Sequence, residues 1–163
     1  MSGAMFIPEF DHETANTRKM LEGLPEEHFD FKPHEKSMSL RELATHLTNL
    51  YAWTLPTFDM DVLDLAEGWE LPTPQSSEEL LALFDKRSAE AREKLQGVTA
   101  ETLGEDWTLK TGDEVHLTMP KGAVFRFFVL NHIVHHRAHV GLYLRMLDVP
   151  VPGMYGPSAD EAM

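Results

Sequence analysis

Asn131-His-Ile-Val-His-His-Arg-Ala-His139 concentrates four of the nine histidines of the chain in nine residues. It lies in a run, Ala123 to Leu147, with no proline and a single glycine, which predicts one long helix. On a helix, His132 and His136 stand one turn apart on the same face, with side chains roughly 6 Å apart. Two imidazoles at that spacing can grip one metal ion, and a third ligand must come from another element. His46 is the candidate, which makes His46, His132 and His136 a predicted three-histidine metal site. Zinc, nickel and ferrous iron all accept neutral imidazole, so the spacing specifies a divalent metal (Zn, Ni or Fe) without choosing among them. Three protein ligands leave a coordination position open, as catalytic sites do. A metal so held lowers the pKa of a bound water or thiol and prepares a nucleophile at neutral pH.

The neighbours of these residues are read by their phase. His135 diverges by ~100° from His136 and is expected at the surface or beside the site. His139 lies one turn beyond His136 and is expected as a hydrogen-bonding interior residue, with extra ligation as the alternative. Glu42, Asn49 and Asn131 are placed to orient ring nitrogens that do not bind metal. Tyr143 is a candidate proton donor, with helix packing as its alternative. Arg137 and Arg145 are read as anion holders or as solvated charges. His12, His28, His34 and His116 show no ligand spacing and are expected at the surface. Without metal, the imidazole cluster is expected to be partly protonated near neutral pH.

The elements that must position this site follow from capping and periodicity. Pro8 opens a first helix, which Gly23 and Pro25 close. Ser39-Leu-Arg-Glu42 has the form of a capping box. The apolar stripe after it, Leu40, Leu43, Ala44, Leu47, Leu50 and Tyr51, defines a second helix with His46 beside Leu43 on its apolar side. Pro56 is expected to kink or end that helix. Asp59 to Gln75 reads as a long crossover with a short helix near Val62 to Ala66. Ser76 caps a third helix that ends at Gly97. Trp107 to Met119 alternates around Thr111-Gly-Asp as a small hairpin. In the last helix Phe125, Phe127 and Phe128 are expected in the core. The predicted fold is all-α: a four-helix bundle with a long crossover between helices 2 and 3 and a β-hairpin insert before the last helix. Such bundles build metal sites from facing helices.

Composition excludes several classes. The 163 residues favour one domain with a proper core, and the net charge of −13 argues against nucleic acid and against an anionic membrane surface as partners. With no cysteine, thiolate ligands, thiolate nucleophiles and disulfides are all absent. No apolar run approaches the ~20 residues of a membrane helix, and the N-terminus lacks a signal-peptide pattern. A cytoplasmic location is expected.

Three stretches make the match specific: Lys36-Ser-Met-Ser-Leu-Arg-Glu-Leu-Ala-Thr-His46, Leu130-Asn-His-Ile-Val-His-His-Arg137, and Tyr143-Leu-Arg-Met-Leu-Asp-Val-Pro-Val-Pro152 running into Tyr155-Gly-Pro-Ser-Ala-Asp160. With these the sequence resembles the DinB-like superfamily of damage-inducible proteins and thiol-dependent transferases. The resemblance implies one domain over 1–163, usually as a homodimer, with a divalent metal on His46, His132 and His136. It also implies chemistry in which bacillithiol, mycothiol or glutathione attacks an electrophile. The alternatives are a non-catalytic, stress-related metal-binding protein and a hydrolase using metal-bound hydroxide. Where the family commonly reads His-His-Arg-Gly-Gln, this chain has His135-His-Arg-Ala-His139, so polar contacts from position 139 do not carry over.

Overall fold

The computed structural model describes residues 2–69 and 71–161. The molecule is mostly helical. Helix α1 spans Ile7–Glu22, α2 Leu40–Asn49, α3 Thr54–Asp59, α4 Ser77–Gly97, α5 Ala100–Gly104, α6 Lys121–Val124 and α7 Asn131–Met146. Helix α1 packs on α4 and α7, and α2 packs on the same two. The main core lies between these four, with Phe10, Leu21, Leu47, Tyr51, Phe84, Phe125 and Ile133 inside it.

Local chemistry sets the helix starts. Ser39 Oγ accepts from the Glu42 N–H at 3.2 Å, and Glu42 Oε2 accepts from the Ser39 N–H at 2.6 Å, completing the expected capping box. Ser76 Oγ caps α4 by accepting from the Glu79 N–H at 3.1 Å. The box fixes the first turn of α2 and therefore the direction in which His46 leaves it.

The helical part is more broken than a plain four-helix bundle. Beyond α2 the chain tightens into a 3-10 turn, Leu50–Trp53, and resumes as α3 with Pro56 in its first turn. The α-helical run thus breaks just before Pro56, whose ring faces the turn holding Ala52, and stops at Asp59, three residues after it, in keeping with the expected kink or end. The last helix is also not uniform. Between α6 and α7, Phe125–Leu130 form a π-helical segment. Val124 and Val129 are both buried, as are Phe125 and Leu130. In a regular α-helix residues five apart point roughly 140° from each other; the wider turn brings both pairs inward. Phe127 is 55 % exposed, against the expectation of a core residue, whereas Phe125 is buried. Phe128 packs against the sheet.

The crossover also differs from expectation. Val62–Asp64 form a strand, β1, rather than a short helix, and one 3-10 turn follows at Leu65–Glu67. Strand β1 pairs in parallel with β2 (Asp106–Thr111), which pairs antiparallel with β3 (Glu114–Pro120), so the expected hairpin is part of a three-stranded sheet. Gly112 turns the hairpin at φ +58°, where a Cβ would be strained. Asp64 holds the strands together, accepting from the Gly112 N–H at 2.9 Å and pairing with Lys110. A second small core of Leu63, Trp107, Leu109 and Val124 joins this sheet to the helices. Trp107 Nε1 donates to the Pro56 carbonyl at 3.1 Å. Among the described residues no helix is long and apolar enough to cross a membrane.

Candidate metal centre

His46 projects from the middle of α2, three residues after buried Leu43 and four before buried Leu50, toward the facing helix α7. His132 and His136 occupy successive turns at the start of α7, flanking buried Ile133. The structure thus brings together the three histidines predicted from spacing. Nε2 of His132 lies 2.9 Å from Nε2 of His136 and 3.5 Å from Nε2 of His46. All three rings are half-buried, and their ligand nitrogens fall within 4.8 Å of one another.

The residues fit a metal. A cation about 2.0–2.1 Å from each nitrogen would see separations of 2.9 and 3.5 Å at angles of roughly 90° and 117°, which tetrahedral and five-coordinate ions accept. In the protein alone, three imidazole nitrogens face one another with at most one proton between each pair, a poor use of three polar groups. The side chains hold nothing but nitrogen at this point, the donor set that zinc, nickel and ferrous iron share.

Electrostatics prepare the rings as ligands. Burial, followed by the neighbouring imidazoles His46, His132, His135 and His139, pushes the His136 pKa down to about 4. Burial, then His132, lowers His46. Burial lowers His132 too, partly offset by the Phe128 carbonyl, which favours the protonated ring. All three shifts favour the neutral ring, the direction opposite to the expected partial protonation, and neutral imidazole is the form that binds metal. The direction sets a pH dependence for the metal-free protein. The unfolded chain takes up protons on these histidines at their ordinary value near 6.5, while folded His136 resists down to about 4. The contribution of these rings to the stability of the metal-free protein falls as pH drops from about 6.5 toward 4 and is constant below that. Urea denaturation of metal-free protein between pH 4 and 8 measures this; a flat profile across that window contradicts it.

The surrounding residues are used differently from expectation. Glu42 is engaged by the Ser39 N–H and by Lys32 at 3.3 Å, Asn131 is exposed, and Asn49 is buried with no partner for its Oδ1. Among the described residues none of the three hydrogen-bonds a triad ring. Tyr143 donates to the Met38 carbonyl at 3.1 Å and meets Phe31 edge-on, which ties the loop before α2 to α7. Arg137 is not an anion holder. It is 2 % exposed, and its guanidinium donates to Glu13 Oε2 at 2.5 Å, the Glu13 carbonyl, Thr17 Oγ1 and the Tyr155 hydroxyl. Tyr155 in turn donates to Glu13 at 2.9 Å. Arg145 pairs with Asp160 and Lys19 with Glu161, so the tail after α7 is strapped across α1 and α7. Glu13 and Tyr155 were missed in the sequence; the available signal was the presence of both an arginine in the histidine motif and a Tyr-Gly-Pro in the tail. His12, His28, His34 and His116 are exposed, as expected.

Two clefts flank the triad. One of about 550 Å³ is lined by His46, Thr45, Asn49, Lys32 and Lys36. The other, about 310 Å³, is lined by His136, His139, Tyr143, Met38 and Pro33.

A helical scaffold with a three-strand sheet and histidines gathered from α2 and α7 defines a class of proteins with a candidate metal centre on facing helices. The chain belongs to the DinB family, whose profile matches residues 1–163. It is similar to the uncharacterised YrdA protein of Bacillus subtilis strain 168, with 24 % identity over 160 residues, 96 % of this chain and 89 % of YrdA. Its fold resembles the crystal structure of a DinB-like protein from Bacillus cereus ATCC 10987, with a TM-score of 0.74 at 23 % identity over 94 % of this chain and 98 % of that one. A DinB-like protein of Bacillus subtilis, YjoA, gives a TM-score of 0.69 at 19 % identity over 90 % of this chain and 95 % of that one.

Proposed function

We propose that this protein is a divalent-metal-dependent enzyme that transfers a low-molecular-weight thiol to an electrophile. In this reading His46, His132 and His136 are the metal ligands, and α1, α2, α4 and α7 are the members of a four-helix bundle forming one domain over 1–163. The protein works in the cytoplasm as a homodimer. The observation that carries the reading is the pair of clefts opening beside His46 and His136. A purely structural metal site is closed by four protein ligands, whereas this one has three rings and room beside them.

The metal, when bound, supplies a positive charge that favours the deprotonated thiol. The chain's own residues do the rest. The three neutral rings fix the position and leave one side open to the cleft. Lys32 and Lys36 line the larger cleft together with Glu35 and Glu42, so its wall carries both signs of charge. The thiol loses its proton to solvent, and its sulfur forms a bond to the electrophilic carbon. With a halide the leaving group departs with the bonding pair; with an epoxide the ring oxygen takes that pair and then a proton.

Titrating the cobalt-loaded protein with bacillithiol, mycothiol and glutathione tests this. One of the three is expected to produce thiolate-to-cobalt absorption at stoichiometric concentration. Silence with all three overturns the transferase reading in favour of a stress-related metal-binding protein or a hydrolase.

A further inference from the structure

The geometry points to a binding site for a small organic carboxylate with an apolar body, in the cleft between α3, α4 and the crossover, with Arg87 as its cationic anchor. The cleft encloses about 610 Å³ and shares no lining residue with the two clefts beside the histidine triad. A space of that size suits a small-molecule ligand. Leu55, Leu63, Trp69, Leu71 and Leu83 give it an apolar wall. Trp69 meets Trp53 edge-on at 5.1 Å, which packs one indole against the other.

Arg87 is the group that lacks a partner. It leaves the middle of α4, lines the cleft and is 7 % exposed. Its Nη1 is enclosed and has no hydrogen-bond partner. Burial pushes its pKa down, and the nearby Glu90 offsets only part of that. A buried cation without a counter-charge is strongly destabilising. The other buried guanidinium, that of Arg137, is met by a carboxylate, a carbonyl and two hydroxyls. The acids around the cleft do not do the same for Arg87. Asp59 pairs with Lys94, Asp64 with Lys110 and Glu90 with Lys86, while Glu67 is exposed. An entering carboxylate therefore meets one desolvated guanidinium at the wall. Nη1 is sealed, so the contact falls on the edge formed by Nε and Nη2, whose two donors match the two carboxylate oxygens. The chain's net charge of −13 repels anions at long range, so charge alone does not hold the ligand. An apolar body laid against Trp69 and the leucines supplies the rest, which selects an aryl or branched carboxylate over phosphate or chloride.

Calorimetric titration of the full chain with 2-naphthoate, zinc-loaded and after chelation, tests the site. The amide 2-naphthamide carries the same rings without the charge, and acetate carries the charge without the rings. One equivalent of naphthoate is expected with or without zinc, bound ~10-fold or more tighter than the amide, the worth of a hydrogen bond to a charged group. Acetate is expected to give no heat at the same concentration. Arg87→Met is expected to fold and to lose the preference for acid over amide. No uptake at millimolar naphthoate, equal affinity for acid and amide, or a preference that survives in Arg87→Met overturns the site. Uptake of naphthoate that vanishes on chelation also overturns it, because the carboxylate is then on a metal at the triad. So does a Tm for Arg87→Met well below that of the wild type, since Arg87 is then satisfied within the protein itself.

Discussion

Replacing His132 by alanine removes stoichiometric binding of divalent metal, weakening it by more than ~100-fold. Loss of an outer hydrogen-bond partner of a metal ligand alone costs ~10–100-fold, and removing the ligand itself exceeds that. His132 lies 2.9 Å from His136 and 3.5 Å from His46 by their Nε2 atoms, and its loss leaves only two of the three rings to hold the ion. The same substitution uncouples metal from stability. In the wild type, metal at about a hundred times its Kd stabilises by roughly 2.7 kcal/mol. For a chain of this size that raises Tm by roughly 5–10 °C. His132→Ala protein is expected to melt at the same temperature with zinc or with chelator. Calorimetry and thermal scans of both proteins measure this. An unchanged affinity in the variant means that the triad is not the metal site.

Arg137→Ala costs about 3–5 kcal/mol of stability, the largest effect expected from a residue that touches no metal. Its guanidinium neutralises Glu13, itself 6 % exposed, and removal leaves that carboxylate buried without its cation. The Tyr155 hydroxyl and Thr17 Oγ1 lose a donor at the same time. Tm is expected to fall by roughly 6–20 °C. Because the penalty comes from the stranded carboxylate, the double change Arg137→Met with Glu13→Leu recovers most of the loss. Chemical denaturation of the single and double variants measures both. A loss under ~1 kcal/mol in the single variant contradicts the account of a buried pair.

The His132–His136 pair was legible because it depends only on α-helical phase over one turn, whereas His46 was legible only as a candidate beside Leu43 on the apolar side of a helix whose start the capping box fixes. The starts of α2 and α4 were legible for the same reason: Ser39 and Ser76 announce themselves by local chemistry alone. What escaped was decided by contacts distant in sequence. Val62–Asp64 are extended because β2 offers them a hydrogen-bonding edge forty-odd residues later, and nothing within the crossover signals it. Arg137 is buried because Glu13 and Tyr155 arrive from either end of the chain. The exposure of Phe127 follows from the π-helical turn, which a period of 3.6 does not describe.

That widened turn gives the last helix two independent angular settings. Upstream, Val124 answers to the sheet; downstream, His132 and His136 answer to α2. A uniform helix would lock these demands together, so that reshaping the sheet side would rotate the imidazoles out of alignment. With a swivel of one extra residue between them, the strand insert is free to drift in evolution while the nitrogen cage keeps its aim.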